Sequence, residues 1–272
     1  MNIKKLGFWV TTTLIVLAVI LPLLWIYLTS FKQNADVYDV RFSRLFIFPP
    51  TLEGYKHLFF NTTFLLEILN TSIAAFFSTV LVMCIALPAA YSFARFNTGY
   101  GHLLFITISA RMFPAAIAAI PYFFVVKALG LLDSRFTLTM FFMWFNTSFA
   151  VFLLFGFFRE IPEELERAAL VDGYGRFAVL WKVVFPLIKP GASITAMFCL
   201  LFSWNEFLYA LLFTRAKATT LTIGLSKFWG ASEIYWNAMT ACLSLAVLPT
   251  LVAGWFIQRY IIRGLTFGAV KG

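Results

Sequence analysis

Between Arg159 and Lys189 the chain reads R-E-I-P-E-E-L-E-R-A-A-L-V-D-G-Y-G-R-F-A-V-L-W-K-V-V-F-P-L-I-K, an island of charge between two long apolar runs. The chemistry open to it is recognition. Arg159, Arg167, Arg176, Lys182 and Lys189 stand against Glu160, Glu163, Glu164, Glu166 and Asp172. Such a balance does not suit an anionic lipid surface, which calls for a basic excess. Ala168 and Ala169, set between charged neighbours, leave a low ridge over which another protein's groove can close. On local physics alone, a solvated connector is the plainer alternative.

Other polar groups stand inside apolar runs: Arg111, Asn146, Trp204, Asn205, Glu206 and Tyr209. Polar side chains at membrane depth are costly, and they mark substrate paths or interhelical bonds. Catalytic arrangements are missing. There is no G-x-x-x-x-G-K-[ST] to cradle phosphates, no H-E-x-x-H and no G-x-S-x-G, and the histidines are only His57 and His102. Cys84, Cys199 and Cys242 lie in separate apolar runs without C-x-x-C spacing, so neither a disulfide scaffold nor a metal site is expected. The expectation is a chain with no catalytic residues and no cofactor of its own.

These residues must be positioned by membrane helices. Of the 272 residues 61% are hydrophobic and 12% charged, where soluble domains run nearer 45 to 50% and about 25%. A soluble domain, a nucleic-acid binder and a disordered chain are excluded together, despite a net charge of +9. A bilayer core of about 30 Å takes roughly 20 helical residues. Six stretches qualify, near 8–31, 70–94, 103–128, 136–158, 187–213 and 238–262. The fold class is all-α, a single polytopic membrane domain over 1–272. The first run is too long for a signal-peptide core and no A-x-A site follows it, so it is an uncleaved span. Pro22 and Pro88 read as kinks, whereas Pro114 and Pro121 flank A-A-I-A-A-I in the run that holds Arg111, marking a broken, cavity-lining helix. Most of the 34 Phe need no account beyond facing lipid or neighbouring helices.

With the amino terminus inside, inner segments hold Lys4, Lys5, Arg95, Arg159, Arg167, Arg176, Lys182, Lys189, Arg259, Arg263 and Lys271. Outer segments hold Lys32, Arg41, Arg44, Lys56, Lys127, Arg135, Arg215, Lys217 and Lys227, so charge counting barely orients the chain. A hairpin is expected over 159–186. Pro162 suits a helix start, Glu163 and Glu164 complement the positive end of the dipole, and Asp172 with Gly173 supply a stop. A second short helix is expected over Phe177–Val184, ended by Pro186.

This spacing resembles the signature of permeases of ATP-binding-cassette importers: E-A-A, three residues, Gly, nine residues, an aliphatic, any residue, and an aliphatic-Pro pair. Ala168, Ala169, Gly173, Val183, Phe185 and Pro186 fall on it, while Arg167 stands at the glutamate position with Glu166 just before it. The likeness continues in N-T-S-I-A from Asn70, A-A-Y-S-F-A-R at 89–95, S-W-N-E-F-L-Y-A-L-L at 203–212 and R-G-L-T-F-G-A-V-K-G at 263–272. These stretches are similar to the sugar-importing branch, in particular the second permease of maltose-type systems. The resemblance implies six spans with both termini inside, the last segment, 263–272, being a cytoplasmic tail. It also implies a homologous second permease, two cytoplasmic ATPase subunits that bind ATP and Mg, and an extracytoplasmic sugar-binding protein. Glu166, Arg167, Ala168, Ala169, Asp172, Gly173 and Pro186 are the residues it assigns to ATPase coupling. A permease for another solute and, further off, a passive channel are the alternatives.

Within the fifth run, helical spacing would put Thr195, Cys199, Phe202, Glu206 and Tyr209 on one stripe. Glu206 then lines the translocation path, pairs with Arg111, or anchors its helix while Asn205 faces the cavity. Asn146 has the same choice between cavity and interhelical bond. The stretch from Thr214 to Asn237 reads as a scoop-like outer loop that reaches the binding protein.

Overall fold

A computed structural model gives the fold and describes residues 3–39, 41, 45–112, 114–229 and 234–268. Arg44, residues 230–233 of the expected scoop loop, and residues 269–272 of the tail with Lys271 lie outside the described residues. The protein is all-α: among the described residues the only β feature is one isolated bridge, Trp229 with Ile234.

The main helices are α1 (Ile3–Ser30), α2 (Glu53–Asn61), α3 (Phe64–Phe96), α4 (His102–Ser109), α5 (Ala115–Ala128), α6 (Arg135–Glu160), α7 (Glu163–Val171), α8 (Phe185–Trp204), α9 (Leu208–Phe213), α10 (Leu221–Lys227) and α11 (Trp236–Gly268). Five stretches are long and apolar enough to cross a bilayer: Lys5–Thr29, Phe64–Phe96, Arg135–Glu160, Arg176–Trp204 and Trp236–Phe256. A bent pair, His102–Met112 with Ala116–Ala128 at 92°, makes a sixth if taken as one span. The bend falls where the prolines place it. Pro114 is extended at ψ 119 and lacks an N–H, so it cannot carry a helix on from the residues before it, while Pro121 is absorbed inside α5.

The fifth span departs from the sequence reading at both ends. Arg176–Val179, a π-helical turn over Leu180–Val184, and α8 run on as one 29-residue rod. No separate short helix stops at Pro186. A proline inside a helix clashes with the carbonyl four residues back and leaves it without a donor, and a π turn immediately before it relieves both faults. At the other end the helix stops at Trp204 and restarts at Leu208, so the stripe from Thr195 to Tyr209 is not continuous.

The chain divides into two compact units, Met1–Glu67 with Ile223–Thr250, and Ile68–Thr222 with Leu251–Gly272. In the first, Ser30 Oγ lies 2.9 Å from Tyr55 Oη, Asn34 Oδ1 accepts from the Trp236 N–H at 2.9 Å, and Lys227 Nζ reaches Glu67 Oε1 at 2.7 Å. Glycines permit two close approaches there. A Cβ on Gly54 would sit 2.5 Å from the Asn237 carbonyl oxygen, and one on Gly224 would run into the Glu67 carboxylate.

In the second unit the core joins α3, α6, the 163–184 hairpin and α8 through Val82, Ala86, Ala90, Ala150, Leu154, Phe158, Ala169, Val184, Ile188 and Ala192. Lipid is as apolar as leucine, so these helices are held by close packing and not by burial from water. Small residues therefore fill the contacts, and Gly191 lets α8 approach the Phe157 ring closely. Larger apolar side chains such as Phe76, Phe77 and Phe105 face outward.

Candidate functional site

The hairpin is built on α7. Pro162 caps it, Glu163, Glu164 and Glu166 occupy its first turn, and it ends in a left-handed Gly173 at φ 87. The Tyr174 N–H donates to the Ala169 carbonyl and the Gly173 N–H to the Leu170 carbonyl, each at 3.1 Å, so the last carbonyls of the helix are satisfied by a Schellman turn. No atom lies within 4 Å of where a Gly173 Cβ would stand; the demand for glycine is one of backbone conformation.

Glu166 and Ala169, one turn apart, face inward; Arg167, Ala168, Asp172 and Gly173 are exposed. Glu166 is 7% exposed. Its Oε1 accepts from Arg95 Nε at 2.5 Å and its Oε2 from Tyr91 Oη at 2.7 Å, while Arg95 also donates to the Ile161 carbonyl at 2.9 Å. The carboxylate thus ties the hairpin to the end of α3. Arg167 points away and meets Glu163 at 3.0 Å, an exposed pair worth little. Around it Leu165, Val171, Tyr174 and Phe177 are exposed, Val171 by 88% and Phe177 by 77%. The smooth face expected of two alanines is therefore half buried, since Ala169 belongs to the core, and the outward surface is Ala168 with this apolar rim. Pro186 lies within the 176–204 rod, whose first residues include Phe177 of that rim.

At the opposite end of α6 a second carboxylate gathers loops. Asp133 accepts four backbone N–H groups, those of Arg215, Ala216, Lys217 and Ala218, at 2.9 to 3.1 Å. Burial alone would raise this carboxyl, but the four donors outweigh it and hold the pKa down to about 2. Asn70 adds bonds to the Lys217 and Thr219 carbonyls and accepts from Arg135 Nε at 2.6 Å, and Leu221 donates to Thr71 Oγ1. The start of the expected scoop loop is thus fastened and continues into α10. Sequence reasoning missed Asp133, counted Arg135 only as an outer charge, and noticed Asn70 only as part of N-T-S-I-A. The available signal was a lone acid in L-L-D-S, capping the entry to a long apolar helix through Ser134.

The polar residues of the spans separate into two sets. Asn146 is 1% exposed and donates to Ser203 Oγ at 2.9 Å and to the Cys199 carbonyl at 3.3 Å, with Ser78 Oγ 3.1 Å beyond Ser203. It is an interhelical tie. Trp204 and Tyr209 are buried, Tyr209 stacking on Phe213 in the packing between α5 and α9. Glu206 sits in the break after α8 and accepts from the N–H groups of Tyr209 at 3.0 Å and Ala210 at 3.2 Å, capping α9. Asn205 is exposed and bonds back to the Leu201 carbonyl. Arg111 is elsewhere. Its guanidinium lies 4.7 to 4.9 Å from the ring centroids of Phe145, Phe149 and Phe202, and the ion pair with Glu206 that the sequence allowed does not form, because Glu206 turns to cap its own helix.

The described residues form apolar helices long enough to span a membrane, with a charged hairpin before the 176–204 rod. Residues 83–267 match the family described as the binding-protein-dependent transport system inner membrane component, and the chain belongs to that family. It is 33% identical over 253 residues to the sulfoquinovosyl glycerol transport system permease protein SmoH of Agrobacterium fabrum, covering 92% of this chain and 88% of that one. It is 32% identical over 277 residues to the trehalose transport system permease protein SugB of Mycobacterium tuberculosis, covering both chains completely. Among solved structures, a bacterial transporter involved in import of the acidic polysaccharide alginate has the same fold, with a TM-score of 0.79 at 24% identity over 95% of this chain and 96% of that one. The protein is a membrane permease subunit and not an enzyme; ATP hydrolysis belongs to a partner subunit. It works with a second permease, ATPase subunits and a binding protein.

Proposed function

We propose that this permease forms half of the translocation path of a sugar importer, and that its hairpin transmits closure of the ATPase pair to the spans. The saccharide reading is supported by the relatives that share most of the chain, whose names specify trehalose and sulfoquinovosyl glycerol. ATP and Mg then bind in the partner ATPase, and both termini lie in the cytoplasm beside it. The single observation behind the coupling role is the two-sided build of α7. Its inner side is locked to α3 by Glu166, while its outer end carries Val171 almost fully exposed, with Phe177 exposed just beyond the turn at the start of the 176–204 rod. Large apolar side chains outside the bilayer call for a protein partner. A rigid lever with an apolar tip moves α3 and the 176–204 rod together when a cleft closes on the tip.

Val171→Glu tests this without disturbing the core. The assembled complex should form in the membrane, yet its ATPase should no longer respond to the sugar-loaded binding protein, with at least a tenfold loss. Undiminished stimulation would overturn the docking role. Labelling of a cysteine at position 171 from outside intact cells would overturn the orientation.

A further inference from the structure

Among the described residues four cations are drawn away from water, and three of them have a hydrogen-bond acceptor or carboxylates nearby. Arg95 pairs with Glu166. Lys32 lies between the Trp25 and Phe48 rings with Asp36 and Asp39 acting on it. Arg135 donates to Asn70. Arg111 differs. Among the described residues no carboxylate pairs with it, and its single hydrogen bond is a long one of 3.4 Å to the Phe145 carbonyl. A guanidinium carries five N–H donors in a planar fork matched to a carboxylate or phosphate. The three phenyl rings around it attract the cation but leave those donors without strong acceptors.

The position of Arg111 makes this informative. It sits in a short 3-10 turn, Ala110–Met112, nine residues past His102 or about 14 Å of helical rise, too far in for a lipid headgroup at the interface. The chain breaks there by 92°, and α5 starts again at Ala115, adding the positive end of its dipole beside the cation. Arg111 also shares a shallow recess with Ala110, Trp144, Phe145 and Ser148, in which Trp144 is 43% exposed. An intramembrane cation of this kind marks a ligand path by default, since no carboxylate among the described residues compensates it.

We propose that Arg111 is an anion-recognition residue of the translocation path, and that the saccharide carried bears an acidic group such as a carboxylate or sulfonate. This rests on the saccharide reading above. The fork of Arg111 takes the anion by paired N–H···O bonds, Trp144 offers its ring to the sugar, and the Phe145, Phe149 and Phe202 rings hold the cation while the path is empty.

The experiment uses the whole complex in proteoliposomes with its own binding protein and follows uptake of a uronate disaccharide beside the same disaccharide with its carboxyl reduced to an alcohol. Wild-type complex should carry the uronate, and Arg111→Gln should lower that uptake by about ten- to a hundredfold. Arg111→Lys, which keeps a point charge without the fork, should fall between them. Should Arg111→Gln not assemble, arginine-specific modification of the wild-type complex replaces it: the uronate should shield Arg111 from a dicarbonyl reagent and the reduced sugar should not. Carriage of neutral disaccharides alone, unchanged uronate uptake in Arg111→Gln, or no shielding would each overturn the proposal while the sugar-permease reading stands. Carriage of no saccharide, with uptake of another solute class, would sink both.

Discussion

Arg95 and Arg111 are both withdrawn from water in the same bundle, and they are treated in opposite ways. Arg95, near the end of α3, has its donors taken by a carboxylate and a carbonyl, and the carboxylate takes a tyrosine hydroxyl as well. Arg111, at the bend of the third span, has aromatic rings and, among the described residues, no counter-charge. Fully partnered charge fixes a shape, which is what a lever needs. A charge left without a counter-charge does not fix shape strongly, and it costs free energy until a ligand answers it. The Asp133 clamp belongs with the first kind: four donors on one carboxylate hold two loops in register at the far end of α6.

The contrast can be broken from its strong side first. Glu166→Ala should destabilise the assembled permease by about 3 to 5 kcal/mol, because it leaves Arg95 buried and uncompensated. Thermal unfolding and protease cleavage within 163–175 would read this, and Arg95→Met added to Glu166→Leu should recover most of the loss. A single Glu166→Ala variant within 1 kcal/mol of wild type would show that the lock is not structural.

Next in size is the clamp. Asp133→Ala should cost about 1 to 3 kcal/mol by leaving four backbone N–H groups unpaired, with Asp133→Asn cheaper because one acceptor oxygen remains. The pH dependence has a definite sign. The folded-state carboxyl titrates at about 2, below the unfolded value of about 3.9, so its stabilisation is fully present above roughly pH 4 and is lost as pH falls toward 2. Melting curves of the wild type and Asp133→Asn should therefore converge as pH falls from 5 toward 2.

A smaller effect separates conformation from contact at the hairpin turn. Gly173→Ala should cost about 1 kcal/mol, the strain of a left-handed residue with a Cβ, and should not abolish assembly. The smallest effect is expected at Arg111, where no carboxylate among the described residues meets the charge. Arg111→Met should leave the ligand-free complex within about 1 kcal/mol of wild type, since the lost ring contacts are offset by removing an intramembrane cation. A large loss of stability there would mean that Arg111 is a structural anchor, and the comparison with Arg95 would collapse.

How much of this was legible can be said residue by residue. Composition and the lengths of the apolar runs determined an all-α membrane protein, because 12% charge cannot solvate a water-facing surface. Fixed spacing from Ala168 to Pro186 determined the family, since short-range motifs depend on local helix and turn geometry that the chain carries within itself. Pro114 announced the bend of the third span for the same reason. Which way each side chain points was decided only by the tertiary structure. Periodicity cannot tell that Glu166 turns inward to Arg95, 71 residues away, while Arg167 turns out. It cannot tell that a π turn carries the helix through Pro186, nor that the break after Trp204 rotates Glu206 onto α9 and away from Arg111. Periodicity assumes an unbroken helix, and a membrane bundle relaxes that assumption wherever a neighbouring helix or an opposite charge can satisfy the backbone and polar groups that the break exposes.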